Sequence, residues 1–215
     1  MVVEGRAIGY VGVSANSLDQ GDPQLPHDKV ALITGGSSGI GAATARHALE
    51  AGYRVVLGGR GEEALQRTAT ELNDAARVMT VQCDVTEWPD QEAMVNAALE
   101  RFGRIDVVFA NAGFGLARGF TAETPERWRA MILTNVYGAA LTIRASIASV
   151  IATKGHFLLT GSVAGRLALP GSMYSATKWA VSAMGESLRQ ELNGTGARVT
   201  LIEPGVVDTD RKSVV

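Results

Sequence analysis

Tyr174 and Lys178 stand four positions apart in a stretch whose pattern predicts a helix over 172–193. Residues at this spacing lie on one helix face, with Cβ atoms about 5–6 Å apart. A free tyrosine has a pKa near ~10, so proton exchange at neutral pH needs a downward shift of about 3 units, or roughly 4 kcal/mol. One cation at about 4 Å supplies about that much at an effective dielectric of ~20. The pair predicts a general acid/base, although an ordinary helical tyrosine beside a surface lysine has the same spacing.

Two further polar residues could join this chemistry. Ser162 follows the apolar run Phe157-Leu158-Leu159, which predicts a strand over 156–160. A hydroxyl at the carboxyl end of such a strand can donate to a substrate oxygen, or it can simply cap a turn. Asn135 lies inside a long predicted helix, where asparagine is unfavourable unless it faces solvent or has a specific partner.

A glycine-rich segment predicts a phosphate-binding turn. It reads Thr34-Gly35-Gly36-Ser37-Ser38-Gly39-Ile40-Gly41, directly after the apolar run 30–34 and before a predicted helix. Glycines let the backbone approach a pyrophosphate, and the start of a helix presents free N–H groups and a positive dipole end. A tight strand-to-helix turn without a ligand is the alternative, and the position after a buried strand favours the phosphate site.

The elements that must position these residues alternate along the chain. Apolar runs predict strands over 30–34, 54–57, 77–83, 105–110, 156–160 and 198–202, and amphipathic patterns predict helices over 40–51, 62–74, 90–102, 125–153 and 172–193. Continuous apolar strands that alternate with helices indicate an α/β fold with a parallel sheet covered on both faces. Right-handed crossovers then give a doubly wound sheet whose ligand lies beyond the carboxyl ends of the strands.

Composition narrows the class of protein. The chain has 215 residues, 46% hydrophobic and 20% charged, with a net charge of -2. These values predict one domain over 28–215 and argue against nucleic acid or a membrane as partner. No apolar run approaches the roughly 18–20 residues of a membrane span. The single cysteine, Cys83, is compatible with a reducing cytoplasm. We interpret residues 1–27 as a flexible arm, with an added edge strand over 7–13 as the weaker alternative.

From Lys29 to Asp210 the sequence resembles the short-chain dehydrogenase/reductase family. The segment Thr34–Gly41 is similar to the family's T-G-x-x-x-G-I-G signature, and Tyr174-x-x-x-Lys178 to its catalytic motif. The other matching positions follow in the family's order: Asp84-Val85, Asn111-Ala112-Gly113, Asn135, Ser162 and Pro204-Gly205. Each motif is short, but together they are highly specific. Ala110 stands where the family often has another asparagine.

The resemblance implies a Rossmann-like fold with strand order 3-2-1-4-5-6 and a hydride transfer between nicotinamide and a carbonyl or secondary alcohol. Tyr174 would be the general acid/base, Lys178 would also bind the nicotinamide ribose, Ser162 would stabilise the substrate oxygen, and Asn135 would hold a water that relays protons to Lys178. The implied cofactor-binding residues are Gly35, Ser37, Ser38, Gly39, Ile40, Gly41, Arg60, Asp84, Val85, Asn111, Ala112, Gly113, Tyr174, Lys178, Pro204, Gly205, Val207 and Thr209. No metal site is expected.

The tip of the second strand favours NADP(H) over NAD(H). NAD enzymes of this fold place an acid there for the ribose hydroxyls. This chain has Gly59 at that place, followed by Arg60, which could pair with a 2′-phosphate or remain a solvated surface arginine. Asp84 would face the adenine, with Val85 packed on it, unless Asp84 is a turn residue.

The chain departs from the family pattern at its carboxyl end. Ten residues follow Gly205, where family members usually continue with a substrate-covering loop, a helix and a final strand. We therefore expect a shortened domain without that strand. The substrate pocket then lacks much of its cover, and the sixth strand is left as a sheet edge. A fragment or a shifted reading frame is an alternative explanation. These features keep open a catalytically weak or inactive NADP-binding protein, whereas a sugar epimerase or dehydratase on this fold has a different glycine spacing and a longer chain.

The substrate and the partners are less defined. Phe114, Leu116, Leu167, Leu169 and Met173 lie near the predicted site and suggest a partly apolar small-molecule carbonyl or alcohol, although each could simply pack. Arg118 and Arg166 could meet an acidic group or remain solvated. In the family, the helices over 125–153 and 172–193 commonly form a dimer or tetramer. Met131, Ile143 and Ile147 could serve such an interface or the core.

Overall fold

The computed structural model describes residues 28–205 and residue 207. Six parallel strands form one sheet with the order β3-β2-β1-β4-β5-β6. The strands are β1 Val30–Thr34, β2 Arg54–Gly59, β3 Val78–Gln82, β4 Val107–Ala110, β5 His156–Thr160 and β6 Arg198–Ile202. The predicted strand order is confirmed, and the predicted arm over 1–27 lies outside the described residues.

Helices connect the strands as the sequence pattern predicts, with ends that differ by a few residues. They are α1 Gly39–Glu50, α2 Glu62–Leu72, α3 Trp88–Phe102, α4 Pro125–Ile132, α5 Ala139–Ala152 and α6 Met173–Glu191. Ser172, predicted as helical, instead caps α6, because its side chain accepts a hydrogen bond from the Ser175 amide.

The predicted continuous helix over 125–153 is wrong in its middle. A π-helical segment, Leu133–Gly138, separates α4 from α5. Such insertions widen the turn and often mark functional sites. The segment contains Asn135, whose side chain is bonded to other parts of the chain rather than to solvent.

The hydrophobic core lies on both faces of the sheet because side chains alternate along each strand. Leu32 and Val56 pack in a cluster with α3, α5 and α6. Ile33 and Val55 point the other way and pack with α1 and α2. The resulting three layers make this a Rossmann-like fold and bring the carboxyl ends of all six strands to one edge.

The prediction that no apolar run is long enough to span a membrane needs a correction at Pro125–Ala152. This run spans 28 residues with a mean hydropathy of 1.3 in its most apolar window, and it is therefore long and apolar enough to cross a membrane by length and composition. Single arginines interrupt its apolar positions, so the sequence shows no unbroken apolar run there. In the fold, 44% of that window is buried. Buried core helices pass the same test, so this run is weak support for a membrane span.

Candidate active site

The glycine-rich segment forms a tight turn between β1 and α1. Gly35 has a φ of +66° and Gly39 a φ of +54°, a conformation that side chains disfavour. A Cβ at Gly41 would lie 2.3 Å from the Gly35 carbonyl oxygen. Gly35 in the turn and Gly41 in the first turn of α1 therefore pack this closely only because position 41 has no side chain. This close packing directs the start of α1 at the space beyond the carboxyl ends of the strands.

Two adjoining cavities lie over this turn. One, of about 340 Å³, includes Ser37, Arg60 and Asp84 in its lining. The other, of about 160 Å³, includes Ser38, Tyr174 and Lys178. Both cavities share Gly35, Ala112, Gly113 and Phe114. Together they form one cleft from the tip of β2 to Tyr174, at the edge where ligands bind in this kind of sheet. Of the predicted cofactor-binding residues, the cleft also contains Gly39, Ile40, Val85 and Asn111.

The tip of β2 offers groups that suit an anion. Arg60 is exposed, and within the described part of the chain its guanidinium makes no hydrogen bond or ion pair. A Cβ placed on Gly59 would lie 3.5 Å from the Leu65 Cδ2 and 3.7 Å from the Ser37 Oγ. A side chain at position 59 would therefore start between α2 and the glycine turn, next to Ser37. No acid is present at this point.

Asp84 and Val85 line the far wall of the larger cavity. The Asp84 Oδ1 accepts hydrogen bonds from the Thr86 amide and hydroxyl, at 3.0 Å and 2.8 Å. Asp84 is therefore a turn residue that also lines the cavity, and its contact with an adenine stays a prediction. Cys83 and Thr134 line the same wall. Neither is recognisable from the sequence, because a cysteine and a helical threonine carry no motif.

The floor of the cleft is joined to the glycine turn through Asn111. Its Nδ2 donates to the Thr34 carbonyl oxygen at 3.0 Å, and the Asn111 amide donates to the Thr34 Oγ1 at 3.1 Å. The Asn111 Oδ1 accepts from the Thr160 hydroxyl at 3.2 Å. Thr34, Asn111 and Thr160 end the neighbouring strands β1, β4 and β5 or follow them directly. These bonds fix the three strand ends relative to one another.

Asn135 is buried, and its amide connects the π segment with two parts of the site. The Oδ1 accepts from the Phe114 amide at 3.0 Å, while the Nδ2 donates to the Phe114 carbonyl at 2.9 Å and to the Thr177 Oγ1 at 3.1 Å. Both amide hydrogens are thus used within the protein. The side chain holds the loop after β4 against α6, which is a positioning task.

Lys178 is buried, with 4% of its surface exposed, and its Nζ donates to the Thr160 carbonyl oxygen at 2.6 Å. Burial lowers the pKa of Lys178 to about 8 because the charged form loses hydration. The Nζ lies 5.6 Å from the centre of the Tyr174 ring. The two side chains share one helix face, as their spacing predicts.

Burial raises the pKa of Tyr174, and a hydrogen bond with Ser162 opposes that rise. The sequence-based expectation that Lys178 lowers this pKa is therefore wrong for the chain by itself. Its Nζ is directed at the Thr160 carbonyl, and desolvation dominates at the phenol. Ser162 is buried, and its Oγ also accepts from the Ala164 amide at 3.1 Å.

The segment after β6 forms another border of the site. The Pro204 carbonyl accepts from the Val163 amide at 3.1 Å, directly beside Ser162. Glu203 forms an ion pair with Arg166 at 2.7 Å. Arg166 therefore has an ion-pair partner within the protein. Arg118 is exposed and forms no ion pair among the described residues. Gly205 and Val207 are exposed, and Thr209 lies outside the described residues.

These residues fit a dinucleotide. In the described range, the hydroxyls of Ser37 and Ser38 and the Arg60 guanidinium make no hydrogen bond, and all three line the cleft that begins at the start of α1. Gly35 and Gly39 have no side chain, so a pyrophosphate can approach the backbone of the turn closely. At the other end Tyr174 and Lys178 form a pair suited to proton exchange.

Comparison with known proteins gives a consistent result. The family model described as short chain dehydrogenase matches residues 29–215. An uncharacterised oxidoreductase of Staphylococcus saprophyticus is 40% identical over 186 residues, covering 85% of this chain and 80% of that protein. An alcohol dehydrogenase of the archaeon Thermococcus sibiricus, solved with 5-hydroxy-NADP, is 36% identical with a TM-score of 0.79, covering 84% of this chain and 77% of that one. A short-chain dehydrogenase/reductase of Burkholderia phymatum, solved with NAD, is 34% identical with a TM-score of 0.81, covering 84% and 66%.

Proposed function

The chain belongs to the short-chain dehydrogenase/reductase family of oxidoreductases, and we propose that it transfers a hydride between NADP(H) and a carbonyl or secondary alcohol. One observation carries the proposal. Tyr174 and Lys178 line the inner end of the cleft whose other end is formed by the glycine turn and Arg60. A nucleotide that spans the cleft therefore reaches from an anion-binding end to a proton-exchanging pair.

The preference for NADP(H) rests on the tip of β2. Gly59 leaves the space beside Ser37 free of a carboxylate, and Arg60 lines the same cavity. A 2′-phosphate there would gain charge-assisted hydrogen bonds from the guanidinium and meet no like charge from position 59. One solved relative is complexed with 5-hydroxy-NADP and another with NAD, so the fold accommodates nucleotides with and without the 2′-phosphate.

The protein's part in the reaction is to orient the substrate and supply its proton. The nicotinamide, when bound, supplies or accepts the hydride. The Tyr174 hydroxyl donates its proton to the substrate oxygen during reduction and takes it back during oxidation. The Ser162 hydroxyl hydrogen-bonds to the same oxygen as negative charge develops there. Lys178, held by the Thr160 carbonyl, places a positive charge beside the phenol.

The Tyr174 phenol is protonated at neutral pH, and burial disfavours the phenolate further. A protonated phenol can act as general acid toward a carbonyl without a preceding ionisation.

Titration of the purified chain with NADPH and with NADH, followed by reduced-nicotinamide fluorescence, tests the cofactor assignment. We expect tighter binding of NADPH. Arg60→Ala should weaken NADPH by about 10-fold or more, since a hydrogen bond to a charged group contributes about 1.5–3 kcal/mol. The same variant should change NADH binding by less than about twofold. Arg67→Ala, an exposed arginine on α2, is the matched control and should alter neither nucleotide.

Equal or better NADH binding by the parent protein would contradict the role given to Arg60. Oxidation of NADPH over a panel of aldehydes and ketones then tests catalysis. Nucleotide binding without turnover of any carbonyl would favour the alternative of an NADP-binding protein that has lost activity.

We extend the proposal to a homo-oligomer located in the cytoplasm. Met131 and Ile143, which the sequence left open as interface residues, are buried in the core. Tyr137 in the π segment and Trp179 on α6 are instead exposed, at 47% and 49%. Exposed aromatic residues support a protein–protein contact. Sedimentation that shows only monomer would overturn the oligomer.

A further inference from the structure

The loop between β4 and α4, residues 111–124, is held at two places on the substrate side of the cleft. Asn135 bonds to both backbone groups of Phe114. Farther along, the Glu123 carboxylate accepts from the Ala117 amide at 3.1 Å and pairs with Arg127 at 2.7 Å. Only 4% of the Glu123 side chain is exposed. A buried carboxylate with two such partners restrains the middle of the loop.

A second loop, residues 166–172, leads directly into α6 and Tyr174. The Ser172 amide donates to the Leu169 carbonyl at 3.2 Å, and the Ser172 Oγ accepts from the Ser175 amide at 3.1 Å. The Leu169 amide donates to the Ser175 Oγ at 3.4 Å. These bonds tie the loop to the first turn of α6. A displacement of this loop therefore reaches the helix turn that carries Tyr174.

The two loops meet at a pair of glycines, which we call the Gly119–Gly171 clasp. The Gly119 amide donates to the Gly171 carbonyl oxygen at 2.9 Å. A Cβ at Gly171 would lie 2.7 Å from the Gly119 nitrogen and 2.9 Å from its Cα, and Gly171 has a φ of +63°. Any side chain at position 171 would therefore push the loops apart, in addition to straining its own backbone.

Exposed apolar side chains surround the clasp. Phe120 is 68% exposed, Leu167 63% and Leu169 36%. They stand on the two joined loops, and the Phe120 ring also packs edge-on against Trp128 of α4. A Cβ at Gly115, on the first loop, would lie 3.6 Å from the Tyr174 ring, so this loop passes directly beside the phenol. Such a surface suits the apolar body of a carbonyl substrate.

We infer that the Gly119–Gly171 clasp joins the two loops into one substrate-facing wall, and that Gly171 is a positioning residue which fixes this wall relative to the Tyr174 phenol. The substrate class is a carbonyl with an apolar body that packs against the wall. This inference rests on the proposed function for its substrate, whereas the clasp itself can be tested without turnover.

Limited trypsin digestion of the nucleotide-free chain tests the clasp directly. The Arg118–Gly119 peptide bond contains the amide that donates to Gly171, so cleavage there requires the clasp to open. Gly171→Ala should speed cleavage at this bond at least tenfold. Gly103→Ala is the matched control, because Gly103 has a φ of +75° but no atom within 4 Å of a Cβ. It carries the same backbone strain without touching the clasp.

Cleavage at Arg60–Gly61, another arginine–glycine bond far from the clasp, is the internal reference. It should stay within about twofold of the parent in both variants. The clasp would be overturned if the cleavage rate at Arg118–Gly119 rose equally in Gly171→Ala and Gly103→Ala, or if it rose in neither. Should Gly171→Ala not fold, the parent itself decides: cleavage at Arg118–Gly119 that is as fast as at the exposed Arg60–Gly61 bond would overturn the clasp.

Steady-state kinetics tests the positioning role. With a carbonyl found by the panel, Gly171→Ala should raise KM at least fivefold while NADPH binding stays within about twofold and Gly103→Ala resembles the parent. An unchanged KM would overturn that role. If the parent turns over no carbonyl, the proposed function fails, and the digestion still decides whether the clasp exists.

Discussion

Burial shifts the pKa values of Tyr174 and Lys178 through the same physical effect. It disfavours the charged form of each, so it raises the pKa of the phenol and lowers that of the ammonium to about 8. Without nucleotide, the site therefore holds a neutral phenol beside a lysine that retains its proton at pH 7 but loses it readily above pH 8.

Replacing Tyr174 with phenylalanine removes the hydroxyl and leaves the ring. We expect Tyr174→Phe to lower kcat for carbonyl reduction by about 10²–10⁴-fold, the usual contribution of a general acid. NADPH binding, measured by fluorescence titration, should remain within about twofold. Tyr137→Phe, at an exposed position outside the cleft, is the control and should keep full activity. Turnover by Tyr174→Phe within tenfold of the parent would assign the proton transfer to another group.

At the scale of elements, the π segment is where the fold and the site depend on each other. The wider turn over Leu133–Gly138 contains Asn135, whose three hydrogen bonds join the loop after β4 to α6. The Asn135 amide hydrogen-bonds to both backbone groups of the partly buried Phe114. The segment thus aligns two neighbouring parts of the cleft.

Asn135→Ala should destabilise the chain by about 2–3 kcal/mol, because removal of one partner leaves buried polar groups unsatisfied. Urea denaturation measures the change. Asn96→Ala, an exposed asparagine on α3, removes the same side chain from a helix and should change stability by no more than about 0.5 kcal/mol. Equal effects of the two substitutions would show that the Asn135 bonds contribute little.

At the scale of the whole molecule, Lys178 links stability to pH. Its pKa of about 8 lies below the ordinary value of 10.5, so between those values the unfolded chain binds more protons than the folded chain. The stability of the parent therefore rises with pH in this window, and below pH 8 the full cost of burying the cation is present.

Lys178→Met should consequently be more stable than the parent at pH 7, by on the order of 1 kcal/mol, while losing activity. Its advantage should shrink as pH increases from 8 to 10. Urea denaturation at pH 7 and pH 10, without nucleotide, measures both effects. Lys29→Met, at an exposed lysine, should show no such difference between the two pH values. A variant less stable than the parent at pH 7 would mean that the bond from Lys178 to Thr160 outweighs the cost of burial.

The sequence by itself determined the features that depend on neighbouring residues. One continuous segment contains strand β1, the glycine turn and the helix that follows it. The alternation of apolar runs with amphipathic stretches indicated the doubly wound sheet. The same local logic placed Tyr174 and Lys178 on one helix face and Ser162 after β5. Each of these inferences needs only the period of an element or the geometry of one turn.

Only the tertiary structure decided the features that join distant parts of the chain. The π segment breaks a helix whose sequence looks continuous, because Asn135 finds partners 21 and 42 positions away. The pKa of Tyr174 depends on how much of the fold covers it, which no spacing specifies. The contact of Gly119 with Gly171 also became visible only in the fold. Burial and long-range contact are properties of packing, and a linear pattern does not contain them.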